Sequence, residues 1–289
     1  MSEALTGAAG NAWHEAALHD AALAATRATG AWLLAQRERL GEVAVDVKAA
    51  GDLASAIDRE AEARLRAALA PLCPGAGFHG EEGGGTALDA PWVWVVDPLD
   101  GSVNYLRGYP VWAVSVALLR AGEPVLGIVL DPVRGEAFHA QRGQGAWMDG
   151  RPLPRRRAAE SAPFRGADPG ALLHALAATV FPKPRGPAMP RYLDELARVL
   201  PAVGGLRRSG SMALELAHLA AGRLDCFWEH DMAPWDAAAA LVLLAETGHV
   251  VTARDGAPPL HSRSLAVATP ALNEAWLALL DGRPAGAAA

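Results

Sequence analysis

The stretch from Trp92 to Ser102 constrains the fold more than any other, because an apolar run ends there on two carboxylates. Its first five residues are β-branched or aromatic, as expected for a strand that is covered on both faces. Asp97 ends the run and Pro98 removes an amide donor, so we expect the strand to stop here. Asp100 and Gly101 form a turn dipeptide that returns the second carboxylate towards the first. The sequence therefore predicts two converging acids at the end of a buried strand.

Two carboxylates at close range repel each other unless one is protonated or a cation lies between them. Oxygen ligands without Cys or His in the turn favour Mg²⁺ or Mn²⁺ over zinc. The backbone N–H groups of Gly101 and Ser102 beside such an ion would suit an oxyanion such as phosphate. An ordinary Asp-Pro turn that binds nothing is the alternative that these few residues leave open.

Composition limits the partners of the chain. Its 289 residues can form one large domain or two packed halves, and either can bury a substantial core. The net charge of −6 gives no general attraction to nucleic acid or to an anionic membrane, so neither partner is predicted. The only cysteines, Cys73 and Cys226, form no Cys-x-x-Cys motif, which argues against a disulfide framework and suits a reducing cytoplasm. No signal-peptide pattern is visible at the start, and the longest apolar run, Ala237 to Ala245, is far below the roughly 20 residues of a membrane span.

The N-terminal part is predicted to contain two helices separated by a non-helical segment. One long helix is predicted from about Trp13 to Leu40, with a possible interruption near Gly30. An alternating segment over residues 43–48 and a break over residues 49–51 follow, and Asp58 is then predicted to start a helix that ends at Leu69.

The rest of the chain mixes strands and helices. Strands are predicted at residues 111–119, 125–130, 224–229, 250–252 and 265–268. Helices are predicted at residues 171–179 and 192–200, after Ser211, and from Asp236 to a stop at Gly248.

Taken together, these motifs resemble the inositol monophosphatase family from roughly Lys48 to Val251. The resemblance is carried by Asp58, Gly80-Glu81-Glu82, Asp97-Pro98-Leu99-Asp100-Gly101-Ser102, Gly210-Ser211 before a helix, Gly222-Arg223-Leu224-Asp225 leading to Glu229, and Pro234-Trp235-Asp236. It implies an α/β fold, a layered α-β-α-β-α sandwich of the inositol monophosphatase and fructose-1,6-bisphosphatase type, commonly assembled as a homodimer. Residues 1–150 would hold N-terminal helices and a mainly antiparallel sheet with most metal ligands. Residues 151–289 would form a smaller α/β half with Asp236 and the pocket for the substrate alcohol.

The resemblance also implies roles for individual residues. The expected metal ligands are Glu81, Asp97, the carbonyl of Leu99, Asp100 and Asp236, with Asp58 reaching a further metal or its water. Asp58, Glu81 and Ser102 would be catalytic. The hydroxyl of Ser102 would orient the attacking water, and many relatives have Thr at this position. The expected substrate contacts are Gly101, Ser102, Gly210, Ser211, Met212 and Glu229.

The implied activity is a Mg²⁺-dependent phosphomonoesterase with two or three ions, Mn²⁺ being possible, and with sensitivity to lithium. Inositol 1-phosphate is the leading substrate. Histidinol phosphate, fructose 1,6-bisphosphate and a 3′,5′-bisphosphate nucleotide are the alternatives, because related enzymes share the metal core and differ in the alcohol pocket. A mainly regulatory binding protein on the same fold is an alternative of another class.

Overall fold

A computed structural model describes residues 9–41, 47–156, 172–183 and 185–283 of the chain. In these residues, helices and two β-sheets stack as five layers in the order helix, sheet, helix, sheet, helix. The predicted α-β-α-β-α sandwich is confirmed. Over the same residues, every helix falls short of the length or the apolar character that a membrane span requires.

The first layer consists of α1 (Ala9–Gly41) and α2 (Val47–Leu69). Helix α1 runs through Gly30, so the predicted interruption is wrong. Helix α2 begins before the predicted break at residues 49–51, which is also wrong, and Asp58 therefore lies inside the helix and does not start it. A glycine inside a helix costs only about 1 kcal/mol relative to Ala, which tertiary packing can offset. Residues 43–46 of the predicted alternating segment lie outside the described residues.

The second layer is an eight-stranded sheet with the order β2-β1-β3-β4-β5-β6-β7-β8. Its strands are β1 (Gly77–Gly80), β2 (Gly84–Gly85), β3 (Trp92–Asp100), β4 (Ala113–Arg120), β5 (Glu123–Asp131), β6 (Glu136–Gln141), β7 (Gly145–Met148) and β8 (Arg151–Pro152). Only the pair of β1 and β3 is parallel in the described sheet. A short helix, α3 (Ser102–Arg107), follows β3 directly.

Strand β3 does not stop at Asp97 as predicted. Asp97 pairs with Ser115 and Asp100 pairs with Ala113, so three steps along β3 match two along β4. The extra residue forms a β-bulge. Proline is tolerated at a bulge, because the hydrogen-bond ladder is interrupted there and the missing N–H of Pro98 leaves no ladder bond unmade.

The second half of the chain supplies α4 (Met189–Val199), α5 (Met212–Ala220), α6 (Pro234–Thr247) and α7 (Asn273–Leu280). It also supplies a five-stranded sheet with the order β10-β9-β11-β13-β12. The strands are β9 (Leu176–Thr179), β10 (Gly205–Arg207), β11 (Cys226–His230), β12 (Val250–Ala253) and β13 (Ser264–Ala268). The predicted helices at 192–200, after Ser211 and at Asp236 are confirmed, and α6 ends at Gly248 with a φ of 78°.

The predicted helix over residues 171–179 is wrong. Residues 172–174 form a 3₁₀ turn, and the alanine-rich segment after it is the central parallel strand β9. Ala177 packs into the cluster around Trp228, and Ala178 packs into the opposite cluster with α5 and α6. Tertiary packing on both faces therefore overrides the helix propensity of alanine.

Helices α5 and α6 form the middle layer between the two sheets. A Cβ on Gly127 of β5 would lie 2.1 Å from the carbonyl oxygen of Ala239, so only glycine permits this close approach of α6. The first sheet takes its described strands from residues 77–152, but both helices that cover its inner face come from the second half. The division at residue 150 stays a prediction.

Candidate active site

The end of β3 places two acids at one edge of the first sheet. Asp97 is buried, with 2% of its surface exposed, and its Oδ1 accepts a hydrogen bond from the Leu99 amide at 3.0 Å. Leu99 is also buried, whereas Asp100 on the far side of the bulge is half-buried. The bulge therefore keeps both carboxylates of the predicted pair close to the same strand end.

Gly101 joins this edge to a loop from the second half. Its φ of 96° is accessible mainly to glycine, and a Cβ there would lie 3.1 Å from the carbonyl oxygens of Gly210 and Val111. Asn104 in α3 strengthens the junction, because its Nδ2 donates to the carbonyls of Val111 at 2.7 Å and Ser209 at 2.8 Å. The predicted phosphate contact Gly101 and the predicted substrate contact Gly210 are thus brought together. Ser102 is half-buried in the first turn of α3.

Asp100 is tied to the start of α5. Its Oδ2 accepts hydrogen bonds from the Ser211 hydroxyl and from the Ala213 amide, both at 2.7 Å. Desolvation still raises the pKa of Asp100, although these bonds and one from the Met212 amide oppose the shift. Ser211 and Met212 are buried, and the Ser211 hydroxyl also caps α5 by accepting from Leu214. Ser211 therefore holds an acid in place, and its contact with a substrate alcohol stays a prediction.

Asp236 enters the same region from the first turn of α6. Its Oδ2 accepts a hydrogen bond from the Ala233 amide at 2.7 Å, which fixes the carboxylate at the helix start. Burial first, and then the negative charge of Asp100, raise its pKa to about 7.

Glu81 follows the parallel strand β1 and reaches the same sheet edge. Its amide donates to the Val96 carbonyl at 3.3 Å, which continues the pairing of β1 with β3. The residue as a whole is exposed, yet enough protein surrounds its carboxyl for desolvation to raise its pKa. A hydrogen bond with Asp97 opposes that shift, and the charge of Asp100 adds to it.

Asp58 approaches the group from α2. It is 8% exposed, its Oδ1 is buried without a hydrogen-bond partner, and its pKa is raised to about 7 by burial and then by Glu82 and Glu81. One helical turn later, Glu62 is buried, accepts from the Glu82 amide at 3.0 Å and pairs with Arg66 at 3.1 Å. Glu62 therefore supports the loop that carries Glu81.

Glu81, Asp97, Asp100 and Asp236 form one electrostatic group. Burial raises the pKa of Asp97 well above its ordinary value, and Glu81, Asp100 and Asp236 add to the rise. Within the described part of the chain, however, no three acidic, His or Cys side chains are arranged as a ready-made metal cage. One oxygen each of Asp97, Asp100 and Asp236 accepts a hydrogen bond from a protein donor.

Glu229 lies at the end of β11 on the side of α6. It is 4% exposed, and its Oε2 is buried without a partner. Burial, then Asp236 and Glu215, raise its pKa to about 9. Glu215 of α5 is equally buried and accepts from the Ser209 amide and hydroxyl at 2.5 and 2.7 Å.

Three supporting residues are not singled out by the sequence reasoning: Glu62, Asn104 and Glu215. Glu62 carries a usable signal, because it lies four residues after Asp58 and therefore on the same helix face. Asn104 and Glu215 act on loops that meet only in the folded chain, and no local pattern marks them.

Comparison with known proteins shows which family the chain resembles in sequence. The model of a family described as the inositol monophosphatase family matches residues 15–283. The inositol-1-monophosphatase of Rhizobium meliloti is 41% identical over 223 residues, which cover 76% of this chain and 80% of the relative. The Nus factor SuhB of Pseudomonas aeruginosa is 38% identical over 236 residues, which cover 80% of this chain and 83% of the relative.

Solved structures show the same fold. The extragenic suppressor protein SuhB of Bartonella henselae has a TM-score of 0.76 and 31% identity, and the match covers 92% of this chain and 99% of that chain. The inositol monophosphatase of Anabaena has a TM-score of 0.74 and 30% identity, with coverage of 93% and 96%.

Proposed function

The chain belongs to the inositol monophosphatase family, and on that premise we propose that it is a Mg²⁺-dependent phosphomonoesterase for a small polyol phosphate. One observation carries the proposal: Glu81, Asp97 and Asp100 at the ends of β1 and β3 lie near Asp236 in the first turn of α6, and each of the four has a raised pKa. A divalent cation relieves that repulsion and is also what hydrolysis of a phosphate ester can use.

The donor set fits Mg²⁺ in kind. It consists of oxygen ligands alone, and the orphaned Oδ1 of Asp58 is a buried acceptor without a partner. We assign two or three ions to Glu81, Asp97, the Leu99 carbonyl, Asp100 and Asp236, with Asp58 at the outer ion or its water. Mn²⁺ would suit the same ligands. When bound, the ions would lower the pKa of a coordinated water and stabilise the leaving alkoxide.

The protein groups around these acids have the task of orientation. Ser211 and Ala213 fix one oxygen of Asp100, and Ala233 fixes one oxygen of Asp236. Such outer hydrogen bonds hold a ligating carboxylate in one rotamer and tune its basicity. This arrangement leaves the second oxygen of each acid for an ion.

Ser102 and Glu81 are assigned to the attacking water. The Ser102 hydroxyl can donate and accept at once, which suits a group that orients a water beside the Glu81 carboxylate. The amides of Gly101 and Ser102 stand at the start of α3, where helix N–H groups lack intrahelical acceptors, and we assign them to the phosphate oxygens.

The alcohol of the substrate is assigned to Gly210, Ser211, Met212 and Glu229. Inositol 1-phosphate is the leading candidate, because Glu229 offers a hydrogen-bonding carboxyl to a polyol and the 41% identical relative is named an inositol-1-monophosphatase. Histidinol phosphate, fructose 1,6-bisphosphate and a 3′,5′-bisphosphate nucleotide remain the alternatives.

A panel of these four phosphate esters, assayed by release of inorganic phosphate, tests the proposal. We expect turnover that requires Mg²⁺, is fastest with inositol 1-phosphate and is inhibited by lithium. A preference for another ester would correct the substrate alone. A folded, Mg²⁺-loaded protein that hydrolyses none of them would overturn the proposal.

A mainly regulatory binding role on the same fold is the second candidate. It is favoured by the name of the 38% identical Pseudomonas relative, Nus factor SuhB. The intact acids argue for retained turnover, because a chain without catalysis could lose Asp97, Asp100 or Asp236. Absence of turnover in the panel would favour the binding role. We also propose a homodimer located in the cytoplasm, and light scattering of the purified protein tests the dimer.

A further inference from the structure

Two histidines join α1 to the outer face of the first sheet. Nε2 of His19 in α1 lies 2.9 Å from Nδ1 of His139 in β6, and the ring centroids are 4.7 Å apart. Side chains alternate along a strand, and Phe138 packs into the cluster with α5 and α6, so His139 faces the opposite layer, towards α1. Neither histidine is among the residues assigned to metal or substrate above.

The two imidazoles line a cavity of about 270 Å³. His139 is 8% exposed, and the side chain of His19 is 12% exposed. Gln141, on the same face of β6, and Trp147, which pairs with His139 across β6 and β7, form other parts of the wall. Two largely buried nitrogen donors therefore lie beside a space that can hold an ion and its water molecules.

A carboxylate fixes the hydrogen positions of this pair. Nδ1 of His19 lies 3.0 Å from Oδ1 of Asp20, and a carboxylate only accepts hydrogen bonds, so Nδ1 carries the hydrogen and Nε2 carries a lone pair. A carboxylate bound to the outer nitrogen of an imidazole is also the arrangement that orients His ligands of metal ions. In the pair as it stands, Nδ1 of His139 donates to the lone pair of His19. When His139 carries its hydrogen on Nε2 instead, both facing nitrogens offer lone pairs, and no proton is released.

The charges around the pair allow a cation. Burial first, and then the charges of His19 and Arg27, lower the pKa of His139 to about 4, so this ring is neutral at physiological pH. The other charged groups that shift its pKa are Asp149 and Asp20. Arg27 is paired with Asp149 at 2.7 Å, which leaves the negative charge of Asp20 in excess.

From this arrangement we propose that His19 and His139 form a binding site for a divalent transition-metal ion such as Zn²⁺. Imidazole nitrogen suits Zn²⁺, Cu²⁺ and Ni²⁺, whereas Mg²⁺ prefers oxygen ligands. Two nitrogens on a tetrahedral ion with bonds of about 2.0–2.1 Å lie about 3.3 Å apart, so the facing nitrogens at 2.9 Å need to separate by only about 0.4 Å. Among the described residues no third acidic, His or Cys side chain completes the group, so water molecules fill the other positions. The bound ion fastens α1 to β6.

Zn²⁺ is the probe, and excess Mg²⁺ keeps the oxygen ligands of the proposed active site occupied. Isothermal titration calorimetry on the full chain measures the affinity. NMR of protein labelled with ¹⁵N-histidine identifies the nitrogens that bind the ion. We expect the largest changes in chemical shift at Nε2 of His19 and Nδ1 of His139.

Four variants locate the ion. His19→Gln and His139→Gln each remove one imidazole and should weaken Zn²⁺ binding by at least about tenfold. Asp20→Asn keeps the shape of the outer group but removes its charge, and should weaken binding by about threefold to tenfold. His174→Gln, exposed in the 3₁₀ turn before β9, is the matched control and should leave binding unchanged. Thermal unfolding of each variant verifies the fold.

A histidine pair that only joins α1 to β6 gives a different result: both His variants lose stability, and the parent chain binds no Zn²⁺ at these nitrogens. That outcome would overturn the proposal, as would an affinity for Zn²⁺ that is unchanged in both folded variants. If neither variant folds, the imidazole shifts of the parent chain decide. Because the titration needs no turnover, failure of the proposed phosphatase activity would leave this test intact.

Discussion

Buried acids at two places in this chain have pKa values that are shifted in opposite directions. Glu195, 1% exposed in α4, accepts hydrogen bonds from His230 at 2.6 Å and from Arg191 and Arg254 at 3.1 Å. Burial alone would raise the pKa of Glu195, but these partners lower it below its ordinary value. At the end of β3, by contrast, Asp97 is equally buried, its neighbours are acids, and its pKa is raised.

The difference separates structural charge from functional charge. A buried carboxylate whose cationic partners come from the protein is already compensated, so it has no need for a ligand. Carboxylates on four elements that face each other without such partners destabilise the fold, and a bound cation is what would make them favourable. The comparison predicts that removing one acid has different consequences in the two places.

Asp100→Asn should produce the largest effect. Replacing a charged ligand by a neutral amide is expected to lower kcat/KM for the best phosphate ester by about a thousandfold, which corresponds to ~4 kcal/mol of transition-state stabilisation. The protein should stay folded, because the change also removes a repelling charge. Steady-state kinetics at saturating Mg²⁺ measure the loss, and Asp20→Asn, at an exposed position of α1, is the matched control. Activity of Asp100→Asn close to that of the parent would exclude the metal role.

Glu195→Gln should do the reverse. It leaves His230 and Arg254 without their carboxylate in a buried site, so we expect the free energy of unfolding to fall by about 3 kcal/mol. Below the unfolding temperature, kcat/KM should be unchanged. Urea denaturation with a constant m-value measures the loss, and Asp194→Asn, exposed on the same helix, should change stability by less than about 0.5 kcal/mol. An equal loss in both variants would show that Glu195 is not a compensated centre.

The sequence predicts the acids at the end of β3 better than it predicts the compensated centre around Glu195. Asp100 ends a strand and Asp236 lies in the first turn of a helix, and the apolar run before Asp97 and the apolar residues after Asp236 mark these two elements in the sequence. The bulge at Pro98 is not predictable in the same way, because it depends on the register with β4.

Contacts between distant segments escape sequence reasoning. Glu195 and His230 are 35 residues apart, and only the stacking of α4 on the second sheet brings them together. Asn104 likewise reaches Ser209 across 105 residues. The position of Asp58 inside α2 is not predictable from the sequence either. Gly51 reads locally as a break, whereas α2 begins at Val47 and continues through that glycine.

Glu229 sharpens the comparison, because it belongs to neither group. Its carboxyl accepts a hydrogen bond from the Val180 backbone, yet its Oε2 has no partner and its pKa is raised to about 9. A hydrogen-bonding role towards the substrate alcohol predicts that Glu229→Ala lowers kcat/KM for inositol 1-phosphate by about tenfold to hundredfold. Glu229→Gln keeps donor and acceptor atoms, so its loss should stay below about fivefold.

An aryl phosphate, which lacks the polyol, is the control substrate for both Glu229 variants. Little change in its kcat/KM is expected, because its leaving group offers no hydroxyl to this carboxyl. Equal losses on both substrates would instead place Glu229 with the acids at the end of β3.

The smallest effect concerns the dependence of stability on pH and Mg²⁺. The pKa values of Asp58 and Asp236 are raised to about 7, against about 3.9 for Asp in an unfolded chain. The folded state therefore holds protons that the unfolded state has released, so the stability that these groups contribute is complete below about pH 4 and is lost as the pH rises through about 7. Bound Mg²⁺ should replace those protons, and its stabilising effect should grow over the same interval.

His139 and His249 also make stability depend on pH, because their pKa values are lowered to about 4 and about 3. Their contribution to stability falls as the pH falls, opposite to that of the acids. The informative quantity is therefore the difference in Tm with and without Mg²⁺ at each pH. We expect this difference to be near zero at pH 5 and about 2 °C at pH 8, as about 1 kcal/mol gives in a chain of this size. Sodium chloride at matched ionic strength controls for screening. A difference that is the same at both pH values would show that the acids at the end of β3 are not where Mg²⁺ binds.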